Sequence, residues 1–188
     1  MSLEPVRLEA PLSREDIEPL RSGDVVRLSG VLYTARDAAH ARMKEAIETG
    51  GPLPFDLEGQ VVYFTGPAPA RPGYVLGPAG PTTASRMDPH SPMLVERGLR
   101  GMIGKGSRSV AVREAMREHG CVYFGAVEGT AALLADCVKQ AEVIAYEDLE
   151  AEAIRRLVVD DFPVVVVNDL HGGDLYKEGR ERWRRSRG

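Results

Sequence analysis

Short runs of β-branched and aromatic residues alternate with stretches of helical periodicity along most of the chain, and glycine punctuates many of the junctions. This alternation constrains the fold most, because strands separated by helices pair in parallel through crossover connections. Val6 to Ala10 predicts a short strand, and Ser13-Arg14-Glu15-Asp16 an N-cap opening a brief helix that ends near Leu20. Gly23 to Gly30 predicts a glycine-bounded strand, followed by a helix from about Thr34 that stops at Gly50-Gly51. Further strands are expected at Gln60 to Thr65, Tyr74 to Leu76, Gly101 to Gly104, Val122 to Ala126 and Ala141 to Tyr146. Helices are expected from Ser91 to about Arg97, from a Ser107 cap to His119, and from Thr130 to Cys137. Ala153 to Val159 and Val164 to Val167 read as paired strands joined by a turn at Asp160-Asp161-Phe162-Pro163. The expected class is α/β, with a mixed sheet flanked by helices.

A chain of 188 residues fits one domain, taken as residues 1–179, with an Arg-rich tail at 180–188. The formal net charge of −4 argues against a general nucleic-acid or membrane-surface role. Arg180, Arg182, Arg184, Arg185 and Arg187 nevertheless crowd the tail, opposed by Glu181. A solvated, partly disordered tail is the expectation, with a docking arm for an acidic partner as the alternative. No apolar run approaches membrane-spanning length, and the first ten residues lack the apolar core of a signal peptide, so a cytoplasmic location is expected. Cys121 and Cys137 have no metal-type spacing and read as small hydrophobes.

Three polar segments stand out: Thr34 to His40, and two rich in glycine or proline, Gly77 to Asp88 and Gly104-Lys105-Gly106-Ser107. A backbone restricted in this way can aim side chains. The lysine segment fails as a phosphate-binding P-loop, because Gly106 separates lysine from hydroxyl and Leu99 replaces the first glycine. It keeps a cation at a strand end near a helix N-terminus, a place that favours anions. Arg36 is expected in the first turn of its helix, with Asp37 beside it and His40 one turn on. Arg86 offers a planar fork suited to a carboxylate, and Thr82 or Thr83 can cap the turn that follows. A small dianion is the natural guest of three such cations.

Ser29-Gly30, Thr34 to His40, Gly80 to Asp88 and Gly104-Lys105-Gly106 resemble the iron–sulfur hydro-lyases. The resemblance is to the β subunit, or C-terminal domain, of class I fumarate hydratase and of L(+)-tartrate dehydratase. Tyr123-Phe124-Gly125, Gly129 to Leu133 and Asp161-Phe162-Pro163 extend it over Asp24 to Asp169. The fold it implies is the swivelling β/β/α domain. The activity it implies is reversible dehydration of L-malate to fumarate, or of L-tartrate to oxaloacetate. A [4Fe–4S] cluster is then carried by a partner α subunit, in a heterodimer or an α2β2 assembly. Two cysteines are too few to hold such a cluster alone.

By the same resemblance Arg36, Arg86 and Lys105 bind the carboxylates of a dicarboxylate substrate, and Thr82 is the base. Asp37, His40, Thr83 and Asp88 orient those groups. Without its partner such a chain is expected to expose its docking face, which makes homodimers in isolation plausible. Two readings of other classes stand beside this one. One is a non-catalytic module that binds a small anion; the other, a stand-alone enzyme using Lys105 or His40, lacks a nucleophile–base pair.

Overall fold

Val61, Val62, Tyr63 and Phe64 are all fully buried, a run with no solvent face. Such a run belongs in the middle of a parallel sheet covered on both sides. The computed structural model describes residues 4–127 and 129–185. It places β3 (Val61–Tyr63) between β2 (Val25–Thr34) and β4 (Gly101–Gly104), parallel to both, with β5 (Val122–Gly125) parallel to β4. β1 (Val6–Ala10) lies parallel to the first half of β2. β7 (Ile154–Asn168) runs antiparallel to β5 and to β2, and β6 (Val138–Ala145) runs antiparallel to β7.

Because β7 pairs with both β5 and β2, the sheet closes into a barrel-like ring of β2, β3, β4, β5 and β7. The class is mixed α/β, as the alternation implies. Period-two alternation divides the apolar residues between two cores. Val61, Tyr63, Ile103, Val122, Phe124, Leu157 and Phe162 share the first, with Leu28 and Leu32. Val62, Phe64, Met102, Tyr123 and Val167 face the second. There they pack against α2 (Asp37–Thr49), α3 (Ser91–Glu96) and α4 (Val110–His119) through Met43, Leu94 and Met116. Two short helices, α1 (Arg14–Ile17) and α5 (Ala131–Asp136), lie in connections. Among the described residues no helix is long and apolar enough to cross a membrane.

Several local expectations match closely. Ser13 caps α1 in a reciprocal box with Asp16, and β1, β4, α3 and α5 fall within a residue or so of the predicted runs. Others are corrected. β2 does not stop at Gly30 but continues to Thr34; Gly30 has φ +95°, and a Cβ there would collide with the backbone of Ala10 on β1. The glycine permits close strand approach rather than ending the strand. Ser109, not Ser107, caps α4, accepting from the Val112 N–H. Tyr74 to Leu76 is not a strand, since its loop is held instead by an Ala68–Pro78 backbone bond and by Tyr63 Oη donating to the Ala79 carbonyl.

The expected turn at Asp160 to Pro163 is a bulge inside one 15-residue strand. Asp161 has φ +55°, and its N–H donates to Ser29 Oγ across the register shift on β2. An extra residue bends a strand without reversing it, and proline is tolerated at such a break in the ladder. The Arg-rich tail is corrected too: α6 (Leu175–Arg185) carries it as helix across the expected boundary at residue 179. Its start is tied down, as Asp174 accepts from the Lys177 N–H and pairs with Arg113 Nη1 at 2.6 Å. Arg187 lies outside the described residues.

Candidate functional site

Parallel β2, β3, β4 and β5 end at one edge, and the three polar segments collect there. In open α/β sheets and in closed parallel barrels alike, the carboxyl end of the strands is where ligands bind. Arg36 lies two residues past β2, and Lys105 directly follows β4. Thr82 to Ala84 wedges between the ends of β3 and β4. The Thr82 N–H donates to the Phe64 carbonyl at 2.6 Å, the Lys105 N–H to the Thr82 carbonyl at 3.2 Å, and the Ala84 N–H to the Lys105 carbonyl at 2.8 Å. A Cβ on Gly104 would stand 2.9 Å from the Phe64 ring and 3.3 Å from the Thr82 carbonyl. Glycine there leaves room for the wedge that brings Thr82 and Thr83 beside Lys105.

Arg36 is not in the first turn of α2 but at its N-cap, with extended backbone and no capping side chain. Glu152 takes over that task from a 3-10 turn (Glu147–Glu152): it accepts from the Ala38 N–H at 2.8 Å and lies 3.5 Å from Arg36 Nη2. Asp37 accepts from Arg86 Nε at 2.8 Å, while its other oxygen is 3.7 Å from Arg36 Nε. The second distance is too long for a hydrogen bond. Two guanidinium groups therefore share one carboxylate, which leaves N–H donors for an incoming anion.

Gly66 keeps Arg36 in place, since a Cβ there would come within 2.9 Å of its Nη1 and 3.1 Å of its Cδ. The two nearest atoms belong to a movable side chain, and the Ala151 carbonyl at 3.2 Å need give by only a few tenths of an ångström, so Gly66→Ala is expected to displace the arginine rather than unfold the protein. Affinity for a small dianion such as succinate should fall about tenfold, the cost of a misplaced charged contact. The melting temperature should stay nearly unchanged, which calorimetry checks.

His40 is fully buried, and its Nδ1 lies 2.8 Å from the Arg36 carbonyl. Burial drives its pKa down to about 4, so the ring is neutral at pH 7 and donates from Nδ1 to that carbonyl. It fixes the backbone of Arg36. A histidine that is neutral when folded but titrates near 6.5 when unfolded binds fewer protons in the native state. Stability is then lost as pH falls from about 6.5 towards 4, by about 2 kcal/mol at pH 5. Urea unfolding at pH 7 and pH 5 should show that slope, and His40→Asn should flatten it.

Asp88 turns away from the other predicted residues. One oxygen accepts from Arg108 Nε at 2.8 Å and the other from the Ser109 N–H at 2.7 Å. Arg108 is fully buried; its Nη2 donates to Ser91 Oγ, and the guanidinium lies 5.2 Å from both the Phe64 and Tyr123 ring centroids. Sequence reading missed Arg108, because an arginine between two serines reads as solvated. It also missed Glu152 and Tyr176, which lie outside the motifs. The acidic run Glu147 to Glu152 was a signal for the former.

Thr83, Lys105, Gly106, Val127, Val167 and Tyr176 are among the residues lining an open cleft of about 520 Å³. Arg36 and Arg86 do not line it, although all three cations stand at the same edge of the sheet. Neither cysteine fits an iron–sulfur ligand. Burial pushes the Cys121 thiol up to about 12, and Cys137 Sγ contacts the Leu133 carbonyl inside α5. Among the described residues no group of three or more His, Cys, Asp or Glu could hold a metal ion.

A closed mixed sheet with Arg36, Arg86 and Lys105 at its carboxyl edge, flanked by helices, defines a mixed α/β domain. The chain belongs to the fumarase C-terminus family, whose model matches residues 2–179. It is 38% identical over 177 residues to fumarate hydratase 2 of Leishmania major, covering 92% of this chain and 31% of that protein. It is 40% identical over 153 residues to the anaerobic class I fumarate hydratase of Escherichia coli strain K12, covering 80% and 28%. The chain thus spans about a third of the length of these fumarate hydratases. A Methanocaldococcus jannaschii protein, provisionally named L(+)-tartrate dehydratase subunit beta, is 35% identical over 173 residues, 89% of each chain.

Proposed function

We propose that this chain supplies the carboxylate-binding half of a hydro-lyase site and interconverts L-malate and fumarate with a cluster-bearing α subunit. The observation that carries this reading is the pair of arginines sharing Asp37, at the same edge of the sheet as the open cleft that Lys105 lines. A C4 dicarboxylate matches that arrangement, with Arg36, Arg86 and Lys105 holding its carboxylate oxygens so that both reacting bonds are aligned. The bonds broken are C2–OH and C3–H, and the products are fumarate and water.

Thr82 is the candidate base for the C3 proton. A threonine hydroxyl is intrinsically very weak in that role, and the neighbouring cations Arg86 and Lys105 would stabilise its deprotonated form. Thr83, Asp37 and His40 act through these groups, and Asp88 only by anchoring the loop through Arg108. The [4Fe–4S] cluster belongs to the partner on this reading, since the two cysteines here do not fit it. The partner completes a heterodimer or an α2β2 assembly.

L(+)-tartrate is the second reading, favoured by the relative of matching length from Methanocaldococcus jannaschii. Co-expression with candidate α subunits, anaerobic cluster reconstitution and assays on malate, fumarate and tartrate separate the two. Turnover by this chain alone, without iron, would overturn both. Tight anion binding with no turnover in any reconstituted complex would favour a non-catalytic module.

A further inference from the structure

Lys105 is followed by Gly106, a residue whose backbone is the least restricted of all and which here has φ +81°. The Thr82 to Ala84 wedge holds the N–H and carbonyl of Lys105, but a turn of the Gly106 backbone beyond it would pull on that contact. Two tyrosines from different elements prevent this. Tyr123 Oη, rising from β5, donates to the Gly106 carbonyl at 2.9 Å. The Gly106 N–H donates to Tyr176 Oη at 3.1 Å. Tyr123 is fully buried, while Tyr176 is half-buried and lines the same cleft as Lys105 and Thr83.

Tyr176 is the second residue of α6, at the end of that helix anchored by Asp174. Asp174 forms a bridge with Asn168 at the end of β7, and its own N–H donates to Glu178. The phenol therefore projects from a defined turn, not from the far end of the Arg-rich segment.

We propose that Tyr176 is a positioning residue of the substrate site: by accepting the Gly106 N–H it fixes the backbone that aims Lys105 into the cleft. The inference rests on the reading that Lys105 binds a dicarboxylate. It assigns α6 a function that its composition hides, because the helix ties the C-terminal segment to the site through one hydroxyl.

The test uses the full chain assembled with its α subunit, and succinate as a C4 dicarboxylate that cannot be dehydrated. Tyr176→Phe keeps the ring and removes the acceptor. Its calorimetric Kd for succinate should be about tenfold weaker, as expected for one lost hydrogen bond. On a Lys105→Met background the same change should alter Kd by less than about twofold, because residues acting through one another are not additive. Amide exchange at Gly106 in the full chain should rise about tenfold in Tyr176→Phe.

An equal loss of succinate affinity in both backgrounds would mean that Tyr176 acts elsewhere. Unchanged affinity or unchanged Gly106 exchange in Tyr176→Phe would also overturn the proposal, although the wild-type complex binds succinate. If the wild-type complex fails to bind succinate, the dicarboxylate reading falls, and with it the purpose assigned to the tyrosine.

Discussion

Arg86→Ala is expected to lower kcat/KM of the reconstituted complex about a thousandfold, since truncating a hydrogen-bonded charge contact costs about 2–5 kcal/mol. The side chain is half-exposed, and its Nε is engaged by Asp37, so its role in the fold is small. Its loss has two effects on the site. It removes the donor that the proposed reading gives to substrate, and it leaves Asp37 to Arg36 alone, which withdraws a second cation. Arg86→Lys should recover little, because an ammonium lacks the planar fork that spans both Asp37 and a carboxylate. Gel filtration should show the complex intact with Arg86→Ala. Dissociation of the complex would make the arginine structural and remove it from the proposed site.

The second large effect concerns stability. Arg108→Ala is expected to destabilise the protein by about 3–5 kcal/mol, the usual result of breaking a buried ion pair from one side. At about 2–4 °C per kcal/mol for a domain of this size, the melting temperature should fall by about 10 °C. The side chain of Arg108 is fully buried and that of Asp88 is 13% exposed, so the abandoned carboxylate has little access to water. Ser91 Oγ and the Phe64 and Tyr123 rings also lose their partner. A double variant, Arg108→Met with Asp88→Asn, should be milder, because it leaves no unpaired charge. A change below about 1 kcal/mol in Arg108→Ala, the range of exposed ion pairs, would contradict the burial on which the argument rests. Asp88 closes the segment that carries Thr82 and Arg86, so this pair also anchors the loop from its far side.

What could be read from the chain alone was local. The Ser13 cap on α1, the α4 stop at Gly120 and the alternation behind the α/β class depend on residues a few positions apart. The cations of the candidate site were legible for the same reason, since Arg36, Arg86 and Lys105 each stand in a short motif. The readings that failed are those in which a distant partner overrode a local signal. Asp160 to Pro163 has turn composition, yet it continues as strand because β2, about 130 residues away, pairs on both sides of the bulge. Gly30 looks like a strand end, but it exists for the approach of β1.

The sequence by itself determined most of the strands and helices before β7 and which short motifs carry the cations, because backbone propensity and capping act within a turn or two. Only the tertiary structure decided that the sheet closes through β7, that Glu152 caps the helix behind Arg36, and that Asp88 serves a buried Arg108. It also decided that an Arg-rich helix sends Tyr176 back to Gly106. Each of these depends on burying two apolar faces at once, and that free energy appears only when strands far apart in sequence meet.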